Sequence, residues 1–438
     1  MTTVLDDLQA AWRRTDQLFE IVGDTWFDRS LPLRHPPVFY LGHLPAFSRN
    51  QVLRGVLERP GWNPEYDDLF ERGIDPLDAD EAERVAIRDW PSIPEVLAYR
   101  DRVRAEVLDA AEEIERRSSS DVLADRGRIY HLVLEHEVMH QETLFYLLQE
   151  IEYDRKVRPA DAPALRTGRA PTRERREIAP GRVTLGADFD ALTFGWDNEF
   201  PRHEVQVDAF ALDRYPVTIE SFREFVDAGG YGEPRWWEPE HFAWIQAQGR
   251  RAPHHWRERE GEWVRHGMFE AVALDEVGGW PVLVSGAEAL AFAKWKGARL
   301  ATEPEIRRAA YGEPEGERER AFPWGDAKPS AEHGNFGFAN YDPVPVGSHP
   351  AGVSAFGVEE LVGNGWEWTS SHFGPLPGFE AYLRTYPFYS TDFFGPKHAV
   401  VFGAAWPTDP RLVRRSFRNW FQRQYPYVPA TFRLAYDA

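Results

Sequence analysis

The stretch Tyr130-His-Leu-Val-Leu-Glu-His136-Glu-Val-Met139-His140-Gln-Glu142 decides how the first third of the chain is read. Its apolar residues recur at helical spacing, and residues four apart on a helix share a face. His136 and His140 can therefore grip one metal ion. The alternative is two hydrogen-bonded histidines on a polar bundle face. The same periodicity predicts helices from about Val4 to Ile21, Val38 to Leu57, Ile93 to Ile114 and Val122 to Ile151. Pro91-Ser92 opens the third and Ser118-Ser-Ser-Asp121 offers caps for the fourth. Four long helices favour an antiparallel bundle.

In the second helix, Phe39-Tyr-Leu-Gly42-His43-Leu-Pro45-Ala-Phe47 sets one histidine in an apolar run. A buried imidazole needs a partner, either a hydrogen bond or a metal. With His136 and His140 across a bundle, His43 completes a three-His set. Three neutral imidazoles without thiolate suit Fe(II), Zn(II), Cu(II) or Ni(II), and three protein ligands leave positions open for catalysis. Glu135 and Glu142 are candidates to accept the far N–H of a ligand imidazole.

Beyond the bundle the sequence changes character. From Arg155 to Glu177 eight basic residues and three prolines interrupt periodicity, which predicts a linker over 155–177. Of 17 Trp only Trp12, Trp26, Trp62 and Trp90 precede it; the others follow. After Ile178 short strand-like runs appear, Arg182 to Gly186 and His203 to Leu212, with helices near Ile219–Ala228 and Gly286–Gly297. This predicts a mixed α+β domain sealed by indole rings over 178–438, behind a helical domain over 1–154.

Composition narrows the function. The 438 residues carry 51 Lys plus Arg against 71 Asp plus Glu, a formal charge of −20, which repels phosphate backbones and argues against nucleic-acid binding. No run approaches the ~18–20 apolar residues of a membrane helix. The acidic Met1-Thr-Thr-Val-Leu-Asp-Asp start lacks a secretory pattern, so a cytoplasmic location and no membrane partner are expected. With no Cys, any metal must use His, Asp or Glu, and thiol nucleophiles are excluded.

The second domain holds further strings: Ala298-Arg-Leu-Ala-Thr302-Glu-Pro-Glu305, Gly363-Asn-Gly-Trp366-Glu-Trp368-Thr and Ser416-Phe-Arg-Asn419-Trp420. Gly, Asn and Trp at such spacing first suggest tight turns under indole rings. Taken in order with His43 and His136-x-x-x-His140-x-Glu142, however, they resemble the ergothioneine sulfoxide synthase family. That family fuses an N-terminal DinB-like four-helix bundle to a C-terminal formylglycine-generating-enzyme-like, C-type-lectin-like α+β domain. The resemblance spans nearly the whole chain.

The resemblance implies an Fe(II) cofactor on His43, His136 and His140, with O2 used to join sulfur or selenium to the imidazole of hercynine or histidine. It places Asn419 and Trp420 against the betaine. It also places a proton-donating tyrosine within Gly378-Phe-Glu-Ala-Tyr382-Leu-Arg-Thr-Tyr386-Pro-Phe-Tyr389, Tyr382 being favoured and Tyr386 its neighbour. Two positions depart from the family. Met139 stands where a Gln is usual, and Phe421 where thiol-peptide users carry an acidic residue. Such losses suit a neutral donor and lean toward the selenoneine synthase branch, which takes a selenosugar, with a cysteine- or glutamylcysteine-using ergothioneine synthase close behind. An ovothiol-type methyltransferase domain is not expected, and formylglycine generation is disfavoured because that chemistry depends on cysteines. The rival classes are a zinc-dependent hydrolase or thiol transferase on the same bundle, and a noncatalytic ligand-binding protein.

Overall fold

The computed structural model describes residues 2–31, 33–71 and 89–438. Two compact units emerge: Met1–Asp161 together with Tyr382–Pro387, and Ala162–Ala381 together with Phe388–Ala438. Among the described residues no helix is long and apolar enough to cross a membrane.

The first unit is helical. Helix α1 spans Thr2–Phe19, α2 Pro37–Arg49, α3 Pro64–Leu69, α4 Ile93–Asp109, α5 Ala111–Arg116 and α6 Arg128–Gln149. Helix α1 packs on α6, and α2 on both α4 and α6. Every residue of α2 is buried, as expected of a helix that is apolar on all sides. Pro45 lacks the N–H for one helical hydrogen bond, and the helix runs on into a π-helical turn, Asn50–Val56. A capping box between Ser92 and Glu95 starts α4. The fourth predicted helix begins later than periodicity suggests. Arg126 and Gly127 take positive φ of 54° and 67°, breaking the run from Val122 before α6 begins at Arg128.

Polar contacts inside the bundle set the rotation of α6. Thr15 Oγ1 donates to Glu137 Oε1 at 2.6 Å, and Gln141 Nε2 donates to the Ala11 carbonyl at 3.0 Å. Burial pushes the Glu137 carboxyl up. With Glu137 and Gln141 turned to α1, the adjacent His136 and His140 are free to face α2.

The second unit is α+β. Helices α7 (Ile219–Asp227), α8 (Pro239–Ala247), α9 (Gly286–Trp295) and α10 (Glu303–Tyr311) accompany four small sheets. After β1 (Arg175–Ile178) and β2 (Gly181–Leu185), the run His203–Leu212 divides into β3, His203–Val207, and β4, Phe210–Asp213, which join different sheets. Strands β5 (Trp256–Arg259), β6 (Glu262–His266) and β7 (Ala271–Ala273) form one sheet, and the longest sheet contains β8 (Gly365–Phe373), β9 (Gly395–Ala404), β10 (Asn419–Gln422) and β11 (Ala430–Thr431), in the order β10-β9-β8-β11. Antiparallel pairing sets Asn419 opposite Val401 and Trp420 opposite Val400.

The Gly363–Thr369 string is architecture. Gly363 and Asn364 take φ of 93° and 66°, and Asn364 bonds Val344, Asn335 and Glu360. Glu367 grips Arg433 through both oxygens, each residue 1% exposed, and the Trp368 indole N–H donates to the Val284 carbonyl at 2.8 Å.

Candidate metal centre

His43 on α2 and His136 and His140 on α6 bring one ring nitrogen each within 4.8 Å of one another. His43 and His136 are buried and His140 is partly exposed, so the cluster is largely enclosed. His43 Nδ1 lies 2.8 Å from the Phe70 carbonyl. A carbonyl only accepts, so Nδ1 carries the proton and Nε2 keeps its lone pair. That Nε2 faces His140 Nε2 at 3.3 Å. Two ligands about 2.1 Å from one ion, 90° to 109° apart, would stand about 3.0–3.4 Å from each other, so the pair fits a shared cation.

The charge state fits as well. Burial pushes His43 down to about 4, against the smaller opposing effect of its bond to Phe70. His136 is pushed well down by burial and by the neighbouring His140 and His43. Desolvation, then His43 and Arg34, push His140 down in the same way. All three rings are neutral at pH 7 and offer lone pairs. His140 Nδ1 is buried without a hydrogen-bond partner, so Glu135 and Glu142 do not take the outer-shell role there.

Aromatic rings hold the imidazoles instead. Phe47 lies face to face on His136 with centroids 3.4 Å apart and planes within 5°. Phe39 stacks on His43 at 5.0 Å, and the Tyr40 ring stands 5.7 Å from His140. In the sequence Phe39 and Phe47 count only as part of the apolar run around His43, with no task of their own. The Phe70 carbonyl could not be found from sequence, because a backbone acceptor leaves no residue signature.

Of the two tyrosines singled out, Tyr386 stands edge-on to Phe47 at 5.2 Å, two rings from His136. Tyr382 is partly buried in the same hexapeptide, its carbonyl accepting from the Arg384 amide at 2.8 Å. Met139 is partly exposed beside His140 on α6.

Asn419, Trp420 and Phe421 lie on β10 in the second unit, all partly exposed. Asn419 Oδ1 accepts from the Trp420 amide at 2.9 Å. Trp420 stacks on Phe373 at 4.0 Å, with Tyr389 at 5.4 Å and Phe393 at 5.6 Å completing an aromatic group. Phe421 lies parallel to Tyr425 at 6.2 Å. Buried charge fixes the base of this strand. Arg418 pairs with Glu303 at 3.0 Å, and although burial raises Glu303, Arg418 and Arg307 outweigh it and hold the carboxyl down at about 2. Ser390, the neighbour of Tyr389, donates to the Asp197 carboxylate and accepts from Asn198 Nδ2.

Two family descriptions match the chain. Residues 163–438 match the sulfatase-modifying factor enzyme 1-like domain, and residues 7–144 match the DinB superfamily. A relative in Mycolicibacterium smegmatis, named hercynine oxygenase, is 37% identical over 99% of both chains. Ergothioneine biosynthesis protein 1 of Neurospora crassa is 28% identical, covering 99% of this chain and 57% of its own. A formylglycine-generating enzyme of Mycobacterium tuberculosis is 32% identical over 41% of this chain and 69% of its own. With its helical and sheet-containing units both accounted for, the chain belongs to the hercynine oxygenase family, the ergothioneine sulfoxide synthases.

Proposed function

We propose that the chain is a nonheme Fe(II), O2-dependent enzyme that joins sulfur or selenium of a small donor to the imidazole of hercynine. The observation that carries this reading is the enclosed set of three neutral imidazoles with no thiolate or carboxylate among them. His43, His136 and His140 would hold the ion, leaving positions open for small molecules. When bound, ferrous iron supplies Lewis acidity toward the donor and one-electron chemistry with O2. For a thiol the balance is one thiol, one hercynine and one O2 giving one sulfoxide and one water.

The remaining work falls to the protein. Asn419 orients the betaine, and the Trp420 face offers cation–π attraction to its trimethylammonium group. Tyr386, whose ring meets the Phe47 ring that covers His136, delivers a proton from its phenol oxygen, with Tyr382 in the same hexapeptide as its neighbour. Phe421 and Met139 are each uncharged where the family carries a polar residue, which favours a neutral selenosugar over a charged peptide. Holding acceptor and donor together converts a multi-body encounter into a local one.

The test is aerobic incubation of Fe(II)-loaded protein with hercynine and, separately, cysteine, glutamylcysteine and a selenosugar, followed by product mass and O2 uptake. One adduct formed with O2 consumption is expected. Turnover without O2 would instead establish the hydrolase or transferase reading.

A further inference from the structure

The hexapeptide Tyr382–Pro387 belongs by its contacts to the helical unit, although the chain on either side of it belongs to the other. Its seat is the π-helical turn Asn50–Val56 that continues α2. Three bonds hold it. Gln51 Nε2 donates to the Thr385 carbonyl at 3.1 Å, Arg384 Nη1 donates to the Gly55 carbonyl at 2.9 Å, and Arg384 Nη2 donates to the Asp121 carboxylate. The fit is close: a Cβ on Gly55 would stand 2.6 Å from Thr385 Cγ2 and 3.0 Å from the Asn50 carbonyl oxygen. Leu383 is fully buried, and the Tyr386 amide donates to its carbonyl at 2.8 Å. The next ring in line is Tyr386, edge-on to Phe47, which covers His136.

The seat is also incompletely matched. Gln51 Oε1 and Thr385 Oγ1 are buried with no hydrogen-bond partner. Buried oxygens left unmatched oppose docking, so the loss of a single bond of this seat loosens the segment. A π-turn widens the helical groove and marks places where a helix accommodates function.

We infer that Gln51 and Gly55 are positioning residues: they hold Tyr382–Pro387 as a strap on the π-turn, and this docking sets how Tyr386 stands against Phe47 over His136. The inference rests on the proposed role of Tyr386 as proton source. Gln51 acts through the strap's backbone and Gly55 through the space it leaves for Thr385. Neither touches the imidazoles.

The experiment uses the full chain and two readouts. Trypsin cutting between Arg384 and Thr385 under native conditions, read by fragment mass, reports strap release without any substrate. Gln51→Ala should raise that rate about five- to tenfold, the loss of one hydrogen bond. Gln51→Glu, which keeps the shape but not the donor, should behave the same way. Gly55→Ala serves as a second variant that acts through crowding, with circular dichroism confirming that each protein is folded. In turnover, Gln51→Ala should lower kcat with KM unchanged, and Gln51→Ala/Tyr386→Phe should be no slower than Tyr386→Phe alone. Unchanged cutting in folded Gln51→Ala overturns the docking. Increased cutting with unchanged kcat, or multiplying kcat losses in the double variant, overturns the positioning. Absence of any adduct in the unaltered protein would sink the proposed activity, while the cutting rates still decide the docking.

Discussion

Gly42 precedes His43 on α2, and its replacement by Ala tests how the first imidazole is held. A Cβ there would stand 2.5 to 2.6 Å from three carbons of the Phe70 ring. Phe70 is fully buried and wedged against Phe39, Tyr66 and Trp90, so the ring has little room to yield. Overpacking of this kind costs about 1–3 kcal/mol. Displacing Phe70 also draws its carbonyl from His43 Nδ1, a buried bond worth about 1 kcal/mol. Against this, Ala gains about 1 kcal/mol of helix propensity over Gly. The net expectation is roughly 1–3 kcal/mol of lost stability, read by urea denaturation. Loss of an outer-shell partner should also weaken metal binding about 10- to 100-fold, read by Co(II) or Fe(II) titration. Gly232→Ala is the control, since nothing lies within 4 Å of a Cβ at that position. A Gly42→Ala protein with native stability and native metal affinity would refute the claim that Phe70 fixes His43. Lost stability with unchanged affinity would leave the packing argument standing and remove the tautomer argument.

Three other outcomes are expected. In chelator-treated protein His43 titrates at about 4 folded against 6.5 unfolded, so the unfolded chain binds the extra proton first. Stability is then complete above pH 6.5 and falls by roughly 3 kcal/mol toward pH 4 from this residue alone, with His136 and His140 adding in the same direction; a flat melting temperature across that window would contradict it. Glu367→Ala strands Arg433 without its carboxylate in the core and should cost about 3–5 kcal/mol by denaturant melt, a loss below 1 kcal/mol counting against the pair. Trp420→Ala should raise the KM for hercynine about tenfold or more while metal content stays at one per chain, and an unchanged KM would remove the cation–π contact.

Much of the first unit is legible because helical periodicity reports a face. The predicted Ile93–Ile114 run covers α4 and α5, and the i,i+4 spacing of His136 and His140 sets both on one side of α6. What periodicity cannot report is how the backbone leaves the regular path. The positive φ at Arg126 and the π-turn after Arg49 both occur inside runs of good apolar spacing. In the second unit, α8 and α10 are not legible in the sequence because each begins at a proline-containing turn. The split between β3 and β4 occurs at Asp208–Ala209, where alternation continues although the two strands join different sheets.

The same limit explains the site. Four residues at successive i+4 steps, Phe39, His43, Phe47 and Gln51, run along α2 and its π-turn, and each meets something the sequence does not place beside it. Phe39 stacks on His43, His43 reaches the Phe70 carbonyl and His140, Phe47 covers His136, and Gln51 holds the Thr385 carbonyl. A stripe of this composition is a poor core by hydrophobicity alone, since it buries an imidazole and a primary amide where Leu would serve. The burial of both polar groups is compensated on one side only: His43 by a carbonyl and Gln51 by another, leaving His43 Nε2 facing a second unprotonated-capable nitrogen and Gln51 Oε1 unmatched. Incomplete compensation at two positions about two turns apart on one helix is what a structural core avoids. It fits the proposed site, in which one of those atoms is kept for an ion and the other lies at the edge of the strap.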